Sequence, residues 1–158
     1  MWWARKKNFE SRTPVDSSGL RDILKEHFGD QVLWRANDPW HGTINGEQVQ
    51  QIWKQLRKDE FRRGIQAYQA HKHDCDDKLH WLWNYHSHIW WLKHCLTKDV
   101  TRGTGSFHYK TRTGNFHYAV WALTPDYRIK TYNYGNGYRD LVEFEMASEE
   151  KSSTDWAY

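Results

Sequence analysis

The sequence predicts an α+β domain in which a helical N-terminal half packs against an antiparallel sheet built from the C-terminal half. Three observations carry this reading. Up to about residue 95 apolar residues recur at three- and four-residue spacing, the period of an amphipathic helix. After the turn-rich stretch KDVTRGTGS the period falls to two, the period of half-buried strands. The length, 158 residues, is that of one domain with a proper core. Only 38% of residues are hydrophobic, but 16% are aromatic and 11 are Trp, so large rings must fill the interior that aliphatic side chains usually fill.

In DSSGLRDILKEHFGD, Leu20, Ile23, Leu24 and Phe28 fall on one helical face, with Ser17 or Ser18 as cap and Gly29 as the stop. DQVLWRA follows as a short strand or extended connector. PWHGTING supplies turn residues before a second helix that carries Val49, Ile52, Trp53 and Leu56 and is capped by Asn45. DEFRRGIQAYQAH predicts a third helix, with Phe61, Ile65 and Tyr68 on one side. A fourth begins at Asp74 as N-cap, with Cys75 in its first turn and an inward stripe of Leu79, Leu82, Trp83, His86, Ile89 and Trp90. His86 is expected as a satisfied core histidine, and His80, His88 and His94 at the surface. SFHYKTR, NFHYAVWALT, YRIKTYNYG and LVEFEMA then read as four mostly antiparallel strands.

Residues 1–12 form a basic, aromatic arm, residues 13–147 a single domain and residues 148–158 a polar, loose tail from which Trp156 or Tyr158 docks back. Arg5, Lys6, Lys7 and Arg12, set against Glu10, account for the whole of the net charge of +3. The neutral body argues against a nucleic-acid partner except for weak contact through the arm. Charges follow Trp2 and Trp3 at once, and WLWNYHSHIWWL is interrupted by polar residues. Neither a signal peptide nor a membrane span is therefore expected, and the expected location is the cytoplasm. Cys75 and Cys95 lie about 30 Å apart on one helix at about 1.5 Å per residue, too far for a disulfide.

HKHDCDDKLHWLWNYHSHIWW places one cysteine among three aspartates at a helix start. The segment HDCDDKL resembles the region around the nucleophile in bacterial and phage transglutaminase-like proteins, and the DCDDFA segment in the C-terminal peptidase domain of fungal agglutinins. FHYAVWALTPDYRIKTYNYG resembles the paired strands that carry the partner residues in such families. The likeness covers roughly residues 68–137. It implies a papain- or transglutaminase-like fold and a thiol-dependent acyl-transfer enzyme, a peptide or isopeptide hydrolase acting on polypeptide through a thioester. Cys75 would be the nucleophile, His117 the base and Asn133 the residue that orients the imidazole. The third position departs from these relatives, which carry Asp or Glu there, whereas KTYNYGNG holds no acid and Asn136 is the substitute candidate.

Strand parity supports the pairing of His117 with Asn133. A three-residue TPD connection pairs Leu123 with Tyr127 and sets His117 opposite Asn133 on the more apolar face. Helix-terminal amides and an imidazolium would lower the thiol pKa from about 8.5. The neighbouring aspartates work against this, so Asp74, Asp76 and Asp77 are expected to cap amides or to hold calcium through oxygen ligands. The oxyanion would be met by the Cys75 amide and one of Gln69, Trp40 or His73, and Trp40 and Trp121 would wall the cleft.

Other classes compete. His71, His73 and Cys75 lack the paired spacing of a zinc site, and HGT at 41–43 lacks the second half of a two-histidine phosphoesterase signature. A catalytically inactive module of the same fold, binding protein, glycan or nucleic acid through exposed Trp2, Trp3, Trp81 and Trp91, is the alternative.

Overall fold

Strand β1 (Val15–Asp16) runs directly into helix α1 (Ser17–Phe28), whose first turn is capped by the Asp16 carboxylate accepting from the Gly19 N–H at 2.6 Å. The cap is therefore Asp16 and not either serine. A computed structural model describes residues 13–34, 38–65, 74–95, 97 and 99–158. Leu20, Leu24 and Phe28 form the buried face of α1, and Gly29 ends it with φ 114°, a conformation open to glycine. Strands β2 (Leu33–Trp34) and β3 (Trp40–His41) precede helix α2 (Gly46–Arg62), which opens with a reciprocal Asn45–Gln48 capping box.

The separately predicted third helix is absent as far as residue 65. Asp59 and Glu60 belong to α2, Phe61 is 74% exposed, and Tyr68 lies outside the described residues. Burial on one face of a continuous α2 takes precedence over the weaker periodicity of DEFRRGIQAYQAH.

The Cys75 helix begins as a π-helix (Asp76–Leu82), in which the Trp83 N–H reaches back to the Lys78 carbonyl, and continues as α3 (Trp83–His94). The wider π turn rotates the buried face. Leu79, His80, Trp83, Ser87, Trp90 and Trp91 point inward, while Ile89, expected inside, is exposed. His80 is thus a core residue, not a surface one.

Strands β4 (Val100–Thr101), β5 (Thr104–Lys110), β6 (Phe116–Leu123), β7 (Ile129–Gly135) and β8 (Asp140–Phe144) lead to the short helix α4 (Ser148–Ser152) and strand β9 (Trp156–Ala157). One sheet has order β1-β3-β4, and the main sheet has order β2-β9-β5-β6-β7-β8. The residues read as a loose tail therefore supply a helix and an interior strand. β9 pairs antiparallel with β5 on one side and parallel with β2 on the other. A two-residue strand carries no period, so sequence patterning is blind to it.

One face of the main sheet (Phe107, Tyr109, Ala119, Trp121, Leu123) packs on α1. The other (Val120, Ala122, Tyr132, Leu141) packs on α2, the π-helix and α3. Buried Lys78 ties these helices together: its Nζ donates to Tyr138 O at 2.6 Å, meets Glu60 Oε1 at 3.1 Å and lies over the Trp53 ring. Among the described residues no helix is long and apolar enough to cross a membrane.

Candidate functional site

The β6–β7 hairpin sets two of the three expected residues. Its loop does have three residues, but they are Pro125, Asp126 and Tyr127: Thr124 and Arg128 close it through a 2.8 Å backbone bond, and Tyr127 takes the left-handed position with φ 61°. The ladder therefore pairs Leu123 with Ile129 and Val120 with Tyr132, two positions away from the predicted register. A shift of two preserves which face each residue occupies. His117 and Asn133 remain on one face as diagonal neighbours, and His117 Nε2 lies 3.0 Å from Asn133 Oδ1. That oxygen also accepts the Tyr134 N–H at 2.8 Å, so it is the amide acceptor and His117 Nε2 is the donor. Nδ1 is left as the lone-pair nitrogen of a neutral ring. Asn136, the substitute candidate, bonds Asp140 instead.

Cys75 reaches the same end of β6 from the helix side. The ladder with β7 stops at Val120, and beyond it the backbone N–H of Tyr118 lies near enough to Cys75 to favour its thiolate. Tyr118, the residue after His117, is the contact that sequence reasoning missed; its only sequence signal is adjacency to His117. The sulfur is not hydrogen-bonded to His117, which is oriented by Asn133 and stands edge-on to the rings of Tyr109 and Tyr134.

The electrostatics describe a neutral, resting pair. Burial pushes the Cys75 thiol up, the Asp74 and Asp76 carboxylates add to that, and the Tyr118 N–H opposes it. Burial also lowers His117 more than its bond to Asn133 raises it. The expected depression of the thiol pKa by the helix start is thus reversed, first by burial and then by the neighbouring acids.

Asp74, Asp76 and Asp77 present oxygens within 4.8 Å of one another. Asp76 is raised, first by a hydrogen bond to Asp74 and then by burial, while Asp77 Oδ2 accepts the Asp74 N–H at 3.3 Å. Three hard oxygen donors at this spacing fit a calcium-like cation. Such a cation would neutralise charge that now raises the thiol.

Trp121 is 2% exposed in the core, and Trp40 belongs to the three-stranded sheet, so neither walls a cleft at this site. Gln69, His71 and His73 lie outside the described residues. An open cavity of about 580 Å³ does adjoin the His117–Asn133 pair. Tyr109, Tyr134 and Phe144 form its aromatic walls, and Thr111, Asn133, Asn136 and Glu150 supply polar groups.

Half of a lectin chain shares this fold. A structure described as "PSL1a-E64 complex" superposes with a TM-score of 0.69 at 9% identity, over 93% of this chain and 51% of that one. Polyporus squamosus lectin, bound to the human-type influenza-binding epitope Neu5Aca2-6Galb1-4GlcNAc, superposes with a TM-score of 0.64 at 10% identity, over 94% and 49%. The chain thus spans about half the length of these neighbours. No family model matches the sequence, and no curated protein does.

Two expectations are corrected by this likeness. The papain- or transglutaminase-like fold type is replaced by that of lectin chains, with a six-stranded sheet completed by β2 and β9 where sequence patterning gave four strands. The labels hydrolase, cysteine protease and phage or bacterial protein gain no support from this likeness, since the second neighbour is named as a lectin, of Polyporus squamosus. A short Cys-containing motif does not specify the architecture that presents it.

Proposed function

We propose that the chain carries a thiol centre for acyl transfer at an amide, with Cys75 as nucleophile, His117 as base, Asn133 as the group that orients it and polypeptide as substrate. The observation that carries this reading is the His117 Nε2–Asn133 Oδ1 bond of 3.0 Å, which leaves Nδ1 basic on the residue next to Tyr118, whose backbone N–H favours the Cys75 thiolate. In the reaction Cys75 turns to His117 and gives its proton to Nδ1. The thiolate then adds to the amide carbonyl, and collapse breaks the C–N bond as the imidazolium returns the proton to the departing amine. Water, deprotonated by the same nitrogen, cleaves the thioester. Asp74, Asp76 and Asp77 would hold a calcium-like cation, which would screen the acidic charge that raises the thiol. The two free cysteines suit a reducing, cytoplasmic setting.

E64, an epoxide that alkylates reactive thiols, is the direct probe, since one neighbour is described as its complex. Intact-mass measurement at pH 8 with calcium is expected to give one E64 adduct on the native chain and none on Cys75→Ser. An unmodified native chain would overturn the reading. The glycan bound by the second neighbour supports a non-catalytic, glycan-binding alternative. Binding of Neu5Aca2-6Galb1-4GlcNAc by calorimetry, with no E64 adduct, would select it.

A further inference from the structure

The cavity beside His117 and Asn133 has a chemical bias that the acyl-transfer reading does not use. Among the residues that line it, Glu150 is the only charged one. Its side chain is 13% exposed, and Oε1 accepts the Ala147 N–H at 3.1 Å. Arg112 approaches it only to 3.9 Å, from a side chain that is 69% exposed and does not line the cavity. The walls are aromatic and continuous. Phe144 stacks with Tyr109 at 6.4 Å, Tyr109 meets the His117 ring at 5.8 Å, and His117 meets Tyr134 at 5.7 Å. Tyr109 joins the cavity to the proposed base, since it lines the one and stands edge-on to the His117 ring of the other.

Ring faces joined to one sheltered carboxylate attract a cation on an apolar stem. They reject an anion and give a neutral alkyl chain no electrostatic gain. We infer that this cavity is a specificity pocket for a Lys or Arg side chain, so that the polypeptide offered to Cys75 is read through a basic residue. The inference rests on the acyl-transfer reading for its placement next to Cys75. Thr111 and Asn136 supply acceptors for the ammonium or guanidinium protons that Glu150 does not take.

The test separates binding from chemistry by using the thiol-free Cys75→Ser chain. Nα-acetyl-lysine amide, Nα-acetyl-norleucine amide and Nα-acetyl-glutamate amide are titrated by NMR, following the aromatic signals of Tyr109, Tyr134 and Phe144. The lysine probe is expected to bind about tenfold more tightly than norleucine, with glutamate weakest. Glu150→Gln keeps an acceptor for the Ala147 N–H and therefore the start of α4, yet it is expected to erase the lysine preference. Equal binding of lysine and norleucine, or a lysine preference that survives Glu150→Gln with an unchanged melting temperature, would overturn the pocket. Lysine selectivity in a chain that E64 never modifies would leave the pocket standing and remove the acyl-transfer reading alone.

Discussion

Cys75 sits between opposing influences: burial with two carboxylates, which disfavour its thiolate, and the backbone amides of Tyr118 and Asp76, which favour it less strongly. A free thiol titrates near about 8.5. Iodoacetamide labelling of Cys75, followed by peptide mass mapping, is therefore expected to be negligible at pH 6 and to rise only at a higher pH than for a free thiol. Rapid labelling at pH 6 would show an ion pair that the resting geometry does not contain. His117 carries the complementary shift, and its bond to Asn133 is what partly offsets burial. Asn133→Ala is expected to lower the His117 pKa further, read from the pH dependence of its ring protons by NMR, while Asn136→Ala leaves it in place.

At the scale of elements, the buried ion pairs between helices decide where the Cys75 helix lies. Asp59 of α2 accepts from His86 of α3 at 2.9 Å and from Arg63 at 2.9 Å. Burial alone would raise the Asp59 carboxyl, but these partners carry it below its usual value. Its contribution to stability is present above the unfolded carboxylate pKa and is lost as pH falls through the lower folded value. Asp59→Asn is expected to cost about 1 kcal/mol in chemical denaturation at pH 7, because the arginine partner is largely exposed and solvent screens it. The calcium-binding reading belongs to the helix start. A 100-fold excess over Kd contributes about 2.7 kcal/mol, so calcium is expected to raise the melting temperature by about 8 °C and EDTA to reverse it. Melting unchanged by either removes the cation and leaves the Asp77 cap.

Across the whole molecule, the closing of the main sheet by β9 is the tightest constraint. A Cβ added to Gly105 would lie 1.7 Å from the Tyr158 carbonyl oxygen, so Gly105→Ala cannot keep the C-terminal strand in place. Its melting temperature is expected to fall by about 10 °C, with loss of near-UV signal from the rings around Trp156. Acid acts on the same fold through its histidines. Burial holds His41, His80 and His117 below their usual pKa, and burial followed by Lys151 takes His27 to about 4. A depressed histidine favours the native state above the unfolded value near 6.5 and withdraws that support as pH falls toward the folded value. Calorimetry is expected to show a melting temperature that declines steadily from pH 7 to pH 4.

The sequence by itself determined the long elements, because burial on one face imposes a period that survives in the order of residues. α1, α2, the Cys75 helix and the four strands β5 to β8 stand close to where those periods put them. It also placed His117 and Asn133 on one face, since alternation along a strand depends on parity and parity tolerates a register error of two. Tertiary structure alone decided the rest. The hairpin loop moved by one residue because Tyr127 accepts the left-handed position, a choice the composition of TPDY leaves open. The π turn rotated His80 into the core, and β2 met β9 across more than a hundred residues through strands too short to carry a pattern. The thiol's own electrostatics were settled by burial and by carboxylate proximity in three dimensions, which no spacing along the chain encodes.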